Sequence, residues 1–301
     1  MRDAGKIALF GMLCLIWGST WLVIKVGYGG LGPFNVAALR FAIAALVLTA
    51  IVPIVGARWP RGRSEWTLIV CVGVLLYPGD YALIYWSEQY IDSGLTAILF
   101  GTFPLLTMTA AHFYVPGERL TPRKFAGGVI ALAGVAVLFG DRVRVDLSTL
   151  APMASVIIAA VLAAAANAAI KRHGGTLHTA PLNASSMALG AVLLLGMSLV
   201  KGERLGIPHD RATWAAIAYL SVVGSVVAFL TYVSLLKRSD STSVSFFAVF
   251  TPAIAVGLGW LVLGERLTVS SLAGAALILS GVSLTLLRIR SKPSPVRCRS
   301  A

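Results

Sequence analysis

Long apolar runs dominate this sequence of 301 residues, and only short polar breaks separate them. A helix needs about 20 mostly apolar residues to cross the hydrocarbon core of a bilayer. We therefore predict an all-α integral membrane protein with ten transmembrane helices. The predicted helices lie near 7–27, 34–56, 66–87, 93–115, 123–140, 150–170, 180–200, 212–236, 242–263 and 269–288.

Charged residues are scarce and mostly basic. They make up 12% of the chain, about half of the roughly 25% that a soluble domain carries. The net charge of +13 comes from Lys and Arg in the breaks between apolar runs, where such residues set topology and contact anionic lipid headgroups. We do not expect nucleic acid as a partner. A cytoplasmic N-terminus puts a clear majority of Lys and Arg in cytoplasmic segments, so we predict an inner-membrane protein with both termini in the cytoplasm.

The sequence contains an internal repeat. The GERLT segment at Gly117–Thr121 recurs 147 residues later at Gly264–Thr268, and further identities follow at the same spacing. Each half holds five predicted helices, and two tandem halves with an odd number of helices must insert in opposite orientations. We therefore predict two inverted repeats, at residues 1–145 and 146–289. A basic tail at 290–301 is expected to be disordered and held near the cytoplasmic leaflet.

Several motifs resemble those of a known family. They are LIWGST at Leu15–Thr20, ALRF at Ala38–Phe41, and the paired proline and GERLT segments. Together they resemble the EamA branch of the drug/metabolite transporter superfamily over the whole chain. The resemblance implies a ten-helix permease, and many members export amino acids and related metabolites. Residues 163–171, which align with 17–25, contain no tryptophan, so an asymmetric cavity is expected.

Two charged residues fall inside predicted spans. Asp80 follows Pro78 and Gly79 in the third span, and Arg40 lies in the second. A charged side chain at the centre of a membrane helix costs about 2.5–3.5 kcal/mol on insertion scales, so it faces the protein interior, a cavity or a partner. Both residues lie roughly 10 Å below the outer surface at 1.5 Å per residue. We predict that they pair, either as a fixed ion pair or as part of a substrate-amine or proton site.

Other polar and aromatic side chains are candidates for a solute site. Tyr77 and Tyr81 share a helix face with Asp80, and aromatic rings with hydroxyls beside a carboxylate suit an amphipathic solute such as an amino acid. Trp17 and Thr20 lie together in the first span, and Asn167 is an amide inside the sixth. For each of these residues, packing between helices is the alternative interpretation.

Pro104 and Pro252 lie near the centres of the fourth and ninth predicted spans. Proline removes an intrahelical hydrogen bond and kinks a helix. Interrupted helices at matching positions of two repeats are typical of a central binding site or hinge in transporters. We assign a structural or gating role to both prolines, and to Arg40. An inherited packing kink is the alternative for the prolines.

The combined features favour a permease that moves a small metabolite, most simply an amino acid, by alternating access. The alternatives are a multidrug or other metabolite efflux carrier and, with less support, a channel. The sequence contains no P-loop, HExxH or GxSxG motif, so neither an enzyme nor nucleotide-driven transport is indicated. We expect no cofactor and no metal. The expected partners are a small-molecule solute, with protons as a second candidate, and membrane lipids, for a monomer or weak dimer.

Overall fold

The computed structural model describes residues 3–91, 93–139, 147–175, 177–203, 205–254 and 269–286. All regular elements in these ranges are helical. The first part of the chain forms α1 (Asp3–Gly27), α2 (Pro33–Ile54), α3 (Arg63–Val74), a π-helical segment (Leu75–Tyr81), α4 (Ala82–Ser87), α5 (Ser93–Phe100), α6 (Phe103–Tyr114) and α7 (Pro122–Phe139). The second part forms a 3₁₀ turn (Leu147–Thr149), α8 (Leu150–His173), α9 (Thr179–Val200), α10 (Arg211–Ser221), a second π-helical segment (Val222–Val227), α11 (Ala228–Arg238), α12 (Ser241–Ser245), α13 (247–254) and α14 (Val269–Leu286).

Within the described ranges, six helical segments are long and apolar enough to cross a membrane. They are Pro33–Ile54, Arg63–Ser87, Leu95–Tyr114, Leu147–His173, Thr179–Val200 and Arg211–Arg238. Shorter apolar stretches cover Gly5–Trp21, Ser241–Ile254 and Leu272–Thr285, and α7 occupies the predicted span at 123–140. The second GERLT segment and the basic tail lie outside the described residues.

Equivalent elements recur along the chain at the spacing of the sequence repeat. Adding 147 to the bounds of α1, α2 and α7 gives those of α8, α9 and α14 to within one residue. The two π-helical segments also match: a shift of 147 places Leu75 on Val222, the first residue of the second segment. A π-helix is a wide turn with i→i+5 hydrogen bonds, and it is rare outside functional sites.

The most extensive helix contacts join counterparts. α2 packs along α9, and α7 packs along α14. The second pair is antiparallel, because Gly127 contacts Gly281, Gly134 contacts Gly274, and Arg123 Nε donates to the Leu284 carbonyl at 2.8 Å. A Cβ added to Gly281 would lie 2.4 Å from the Ala131 backbone nitrogen. The absence of side chains at these crossing points is what lets the two backbones touch, as is common between membrane helices.

The first turn of α2 lies against the segment that follows α9. The Glu203 carboxylate accepts hydrogen bonds from the backbone N–H of Phe34 at 3.3 Å and of Asn35 at 2.9 Å, and from the Ser198 hydroxyl at 2.8 Å. These backbone donors have no partner inside the helix, and a carboxylate is favoured at a helix N-terminus. The contact fixes the ends of two helices from different halves of the chain.

Apolar residues cover the outside of the helix bundle as well as its interior. Leu46, Ile54, Val192 and Val200 are large and largely exposed. In a water-soluble protein such a surface would be a liability, whereas in a membrane protein lipid tails cover it. The interior is closely packed, with five small residues of α8 buried against its neighbours: Ala159, Ala160, Ala163, Ala164 and Ala166.

Candidate solute-binding cavity

A cavity lies at the centre of the bundle, and both halves of the chain line it. It encloses about 630 Å³ of space unoccupied by atoms, counting the part that opens outward. The lining residues are Trp17, Thr20, Trp21 and Ile24 of α1, Leu76, Asp80, Tyr81 and Ile84 of the first π segment and α4, Phe100 and Phe103 of α5 and α6, Ala163 and Asn167 of α8, Phe229 and Tyr232 of α11, and Phe247 and Thr251 of α13.

Five of the six predicted binding residues lie together in this lining: Trp17, Thr20, Asp80, Tyr81 and Asn167. Tyr77 is not part of it. Its ring is fully buried and packs edge-on against Phe41, with 4.7 Å between ring centroids. Gly190 of α9 lies on the Tyr77 side chain so closely that a Cβ there would be 2.4 Å away. Tyr77 therefore packs between helices in this conformation, which was the alternative interpretation of its position.

The predicted pairing of Arg40 with Asp80 is wrong for this structure. Both residues are described, and no salt bridge joins them. Arg40 is 1% exposed and is held by other groups: Nε donates to Ser225 Oγ at 2.9 Å, one terminal nitrogen to Tyr85 Oη at 3.2 Å, and the other to the Gly224 carbonyl at 3.1 Å. Its guanidinium also lies 5.0 Å from the centroid of the Tyr81 ring. Arg40 is thus fully engaged behind the cavity wall rather than exposed in it.

Within the described residues Asp80 forms no salt bridge, although the charge of Arg40 acts on it from a distance. It is 3% exposed, and its Oδ1 atom is buried with no hydrogen-bond partner. The π-helical segment around Pro78 presents it to the cavity. Two more polar atoms of the lining, Asn167 Nδ2 and Tyr232 Oη, are also buried without a well-formed hydrogen bond in the described residues, and their two side chains lie close to each other. Unpaired buried polar atoms cost free energy, so such a cluster makes the cavity a candidate site for a ligand that supplies the missing hydrogen bonds.

Aromatic rings form most of the remaining wall. The Trp17 ring lies at the centre of this aromatic wall. The distance between ring centroids is 4.2 Å to Phe247, 5.1 Å to Tyr232 and 5.4 Å to Phe229. Its indole N–H donates to the Gly224 carbonyl at 3.2 Å, the same oxygen that Arg40 contacts. The ring is therefore fixed in orientation by the second π-helical segment.

The sequence reasoning missed several lining residues. They include Phe100, Phe103, Phe229, Tyr232, Phe247 and Thr251, whereas Trp21 shares the side of the first span on which Trp17 and Thr20 were expected to line a cavity. Tyr232 alone carried a signal, because it is the counterpart of Tyr85 at the repeat spacing. Phenylalanines within apolar runs cannot be told from lipid-facing or packing residues by sequence position.

The two prolines have different surroundings. The fourth span is interrupted at Gly101 and Thr102, and Pro104 occupies the first turn of α6, where a missing N–H removes no helical hydrogen bond. Pro252 lies inside α13. Proline has no N–H to donate to the carbonyl of Ala248, four residues earlier. That carbonyl instead accepts a hydrogen bond from the Thr251 hydroxyl at 3.4 Å. Both prolines are buried close to cavity-lining residues, namely Phe103 and Thr251.

No group of three His, Cys, Asp or Glu side chains in the described residues is arranged to hold a metal ion. The cavity has one carboxylate, amide and hydroxyl groups, and many aromatic faces. It is equipped to bind a small amphipathic molecule.

Comparison with known proteins identifies the class. The sequence profile of the EamA-like transporter family matches residues 5–140 and again residues 151–287. The chain belongs to this family of drug/metabolite transporters. It is a membrane transporter of a small solute and not an enzyme.

Curated relatives match over nearly their whole length. The uncharacterized transporter YoaV of Bacillus subtilis is 28% identical, with 89% of this chain and 92% of the relative covered. The uncharacterized inner membrane transporter YedA of Escherichia coli is 27% identical over 98% and 96%. A protein of Streptantibioticus cattleyicolor named as a probable terminal-alkyne amino-acid exporter is 27% identical over 93% and 94%. One solved crystal structure matches with a TM-score of 0.80 at 21% identity, covering 94% of this chain and 96% of that one, which establishes the fold alone.

Proposed function

We propose that this transporter carries a small solute with a protonated amine, most simply an amino acid, by alternating access. The observation that carries the proposal is Asp80, a buried carboxylate that lines an aromatic cavity and forms no salt bridge within the described residues. An ammonium group is the natural complement of such a site. It gains a charge-assisted hydrogen bond from the carboxylate and cation–π attraction from the ring faces.

The other polar atoms of the cavity fit the same solute. Asn167 Nδ2 and Tyr232 Oη lack a well-formed hydrogen bond in the described residues and can donate hydrogen bonds to a carboxylate or carbonyl oxygen of the solute. Phosphorylated solutes fit poorly, because Asp80 would repel them and the Arg40 guanidinium is already engaged by Ser225, Tyr85 and Gly224. Trp17, Thr20, Asp80, Tyr81 and Asn167 remain the proposed binding residues. We now add Tyr232 to this set and keep Tyr77 only as a neighbour of the site.

We further propose ten transmembrane helices in two inverted halves, residues 1–145 and 146–289, followed by the tail at 290–301. The two separate family matches support two halves. The antiparallel packing of α7 against its counterpart α14 supports opposite orientations. In this arrangement most Lys and Arg residues fall in the segments on one side of the membrane. We therefore propose that both termini are cytoplasmic and that the protein lies in the inner membrane.

Contacts between the halves close both ends of the bundle. At the proposed outer end, Glu203 caps α2. At the proposed cytoplasmic end, Glu118 accepts from the Ser241 backbone N–H at 3.1 Å and from its hydroxyl at 2.9 Å, and Lys171 Nζ lies 3.8 Å from it. Alternating access requires that these two contacts open in turn. The helix break before Pro104 and the two π-helical segments are the proposed points of bending.

The relative named as an amino-acid exporter supports an amino acid as solute and outward transport. A second candidate is the efflux of amphipathic organic cations. It is favoured by the composition of the cavity, whose lining in the described residues includes one carboxylate, many aromatic rings and no Lys or Arg.

Counterflow in proteoliposomes tests the proposal. Labelled amino acids are compared with amines that lack a carboxylate, for the parent chain and for Asp80→Asn. Saturable exchange of amino acids that is lost in the variant is the expected result, and exchange of the simple amines alone selects the second candidate. Exchange that survives Asp80→Asn overturns the assigned role of Asp80.

Asp210→Asn is the matched control, because it makes the same chemical change outside the membrane. Asp210 caps α10 by accepting from the backbone N–H and the hydroxyl of Thr213, which hold the pKa of its carboxyl below the usual range. Asparagine is also a good N-cap. Transport by this variant should equal that of the parent.

A further inference from the structure

A second, larger groove opens on the side of the bundle between α3, α6 and α8. It holds about 1,330 Å³ of space unoccupied by atoms, counting the part that is open. Its inner wall is apolar and its mouth is basic. The wall is formed by Leu68, Cys71, Leu75, Ala110, Ala165, Ala168 and Ala169, and the mouth by Arg63, Ser64, Thr67, Tyr114, Arg172 and His173.

The positive charge at the mouth is not neutralised locally. Among the residues that the structure describes, no Asp or Glu lines the groove. The nearest acidic residue along α3, Glu65, is bound by Arg58 and by the backbone N–H groups of Arg61 and Gly62. Arg172 donates to the Tyr114 carbonyl at 3.0 Å, which holds its guanidinium at the mouth. A guanidinium has five N–H donors, so this single bond leaves donors for an anion.

The length of the groove matches one leaflet of a bilayer. Arg63 is at its mouth and Leu75 at its inner end, twelve residues further along the helix, which corresponds to about 18 Å at 1.5 Å per residue. Half of the hydrocarbon core of a bilayer is about 15 Å. A ligand that has its anionic group between the two arginines would therefore have room for an acyl chain along the wall.

We propose that this groove is a binding site for one anionic phospholipid, with its phosphate between Arg63 and Arg172 and an acyl chain against the α8 alanines. Phosphate is the group that paired guanidinium groups recognise best. The mouth lies at the end of the bundle that also holds Lys171 and Arg172, where anionic headgroups of the cytoplasmic leaflet would meet it. The basic C-terminal tail is a poor occupant, because its Arg and Lys residues repel the same mouth.

Native mass spectrometry of the delipidated full-length protein tests the site. The probes are phosphatidylglycerol and phosphatidylcholine with identical acyl chains. We expect the parent to retain one phosphatidylglycerol in preference to phosphatidylcholine. Arg63→Gln with Arg172→Gln should lower its occupancy at least tenfold, and Arg63→Lys with Arg172→Lys should retain most of it. Arg61→Gln with Arg119→Gln is the control, since it removes the same charge from exposed residues outside the groove.

Ala165→Leu tests whether an acyl chain enters the groove, because it fills part of the wall and keeps every charge. Several-fold lower occupancy is expected, with an unchanged melting temperature. Equal retention of phosphatidylglycerol and phosphatidylcholine by the parent overturns the proposed site. The same conclusion follows if the control variant loses as much phosphatidylglycerol as the Arg63→Gln, Arg172→Gln variant. Full lipid occupancy in Ala165→Leu, or displacement of the lipid by millimolar inorganic phosphate, would mean that only the headgroup binds, at a charged surface. Either result overturns the proposal.

Discussion

Gly134 and Gly274 meet where α7 crosses α14, and a Cβ added to Gly274 would lie 2.7 Å from the Gly134 carbonyl oxygen. The same contact is made a second time by their counterparts at the repeat spacing, Gly281 and Gly127, where a Cβ on Gly127 would lie 2.6 Å from the Gly281 oxygen. One interface thus explains the repeated glycines, because each of the two repeat positions occurs in it twice, once from each half of the chain.

Gly274→Ala should therefore destabilise the protein by about 1–3 kcal/mol, because the methyl group forces two closely packed backbones apart. The melting temperature of the purified protein in detergent measures this. Gly196→Ala in α9 is the control. No atom lies within 4 Å of a Cβ at that position, so its melting temperature should stay the same or rise slightly. Equal melting temperatures for the two variants would contradict the assigned close contact.

Arg40→Gln should lower the free energy of unfolding by about 3 kcal/mol, because it removes the donors that satisfy Ser225, Tyr85 and the Gly224 carbonyl. Arg40→Lys should recover little of this, since an ammonium cannot reach the three acceptors as the planar guanidinium does. Thermal unfolding measures both variants. If either variant has the same free energy of unfolding as the parent, the stabilising role that these contacts assign to Arg40 is wrong.

Asp80→Asn should behave in the opposite way. It replaces a buried carboxylate that forms no salt bridge within the described residues with a neutral side chain of the same shape, so stability should be unchanged or higher while solute binding is lost. Thermal unfolding with and without added solute measures both effects. A marked loss of stability without solute would indicate that Asp80 has a structural partner in the folded protein.

The two end contacts should have opposite effects on access to the cavity. In a chain with its cysteines replaced by alanine, Thr20→Cys places a thiol in the cavity lining. Adding Glu203→Ala should speed its reaction with a membrane-impermeant maleimide applied from outside, because it releases the cap on α2. Adding Glu118→Ala should slow it, because the cytoplasmic end then opens more readily. The same rate in all three proteins would contradict gating at these contacts.

Much of the fold and part of the site could be predicted from the sequence. The apolar runs and the 147-residue spacing located the helices, since both depend only on length and composition. Asp80 and Asn167 were identified because buried polar groups in membrane helices require a function or a partner. The pairing of Arg40 with Asp80 failed for a geometric reason. The depth of a residue in the membrane follows from the rise of 1.5 Å per residue. The direction of its side chain around the helix axis cannot be predicted when a π turn lies in the helix.

One extra residue in a helix turns the side chains that follow by about 100° relative to an unbroken α-helix. Tyr77, Asp80 and Tyr81 all lie in such a segment, so their faces could not be read from a 3.6-residue period. This is why Tyr77 packs on Phe41 while its neighbour Tyr81 reaches the cavity.

The two wide turns also bear on how the two halves of the chain differ. They begin at equivalent residues of halves that share one family profile, so they are corresponding features of the two repeats, and they differ in what each does in this chain. The first copy contains Pro78 and Asp80 and lines the proposed solute site. The second copy has Ser225 and Val227 at those positions and instead anchors Arg40. The same helical irregularity therefore lines the proposed solute site in one half of the chain and anchors a buried guanidinium in the other.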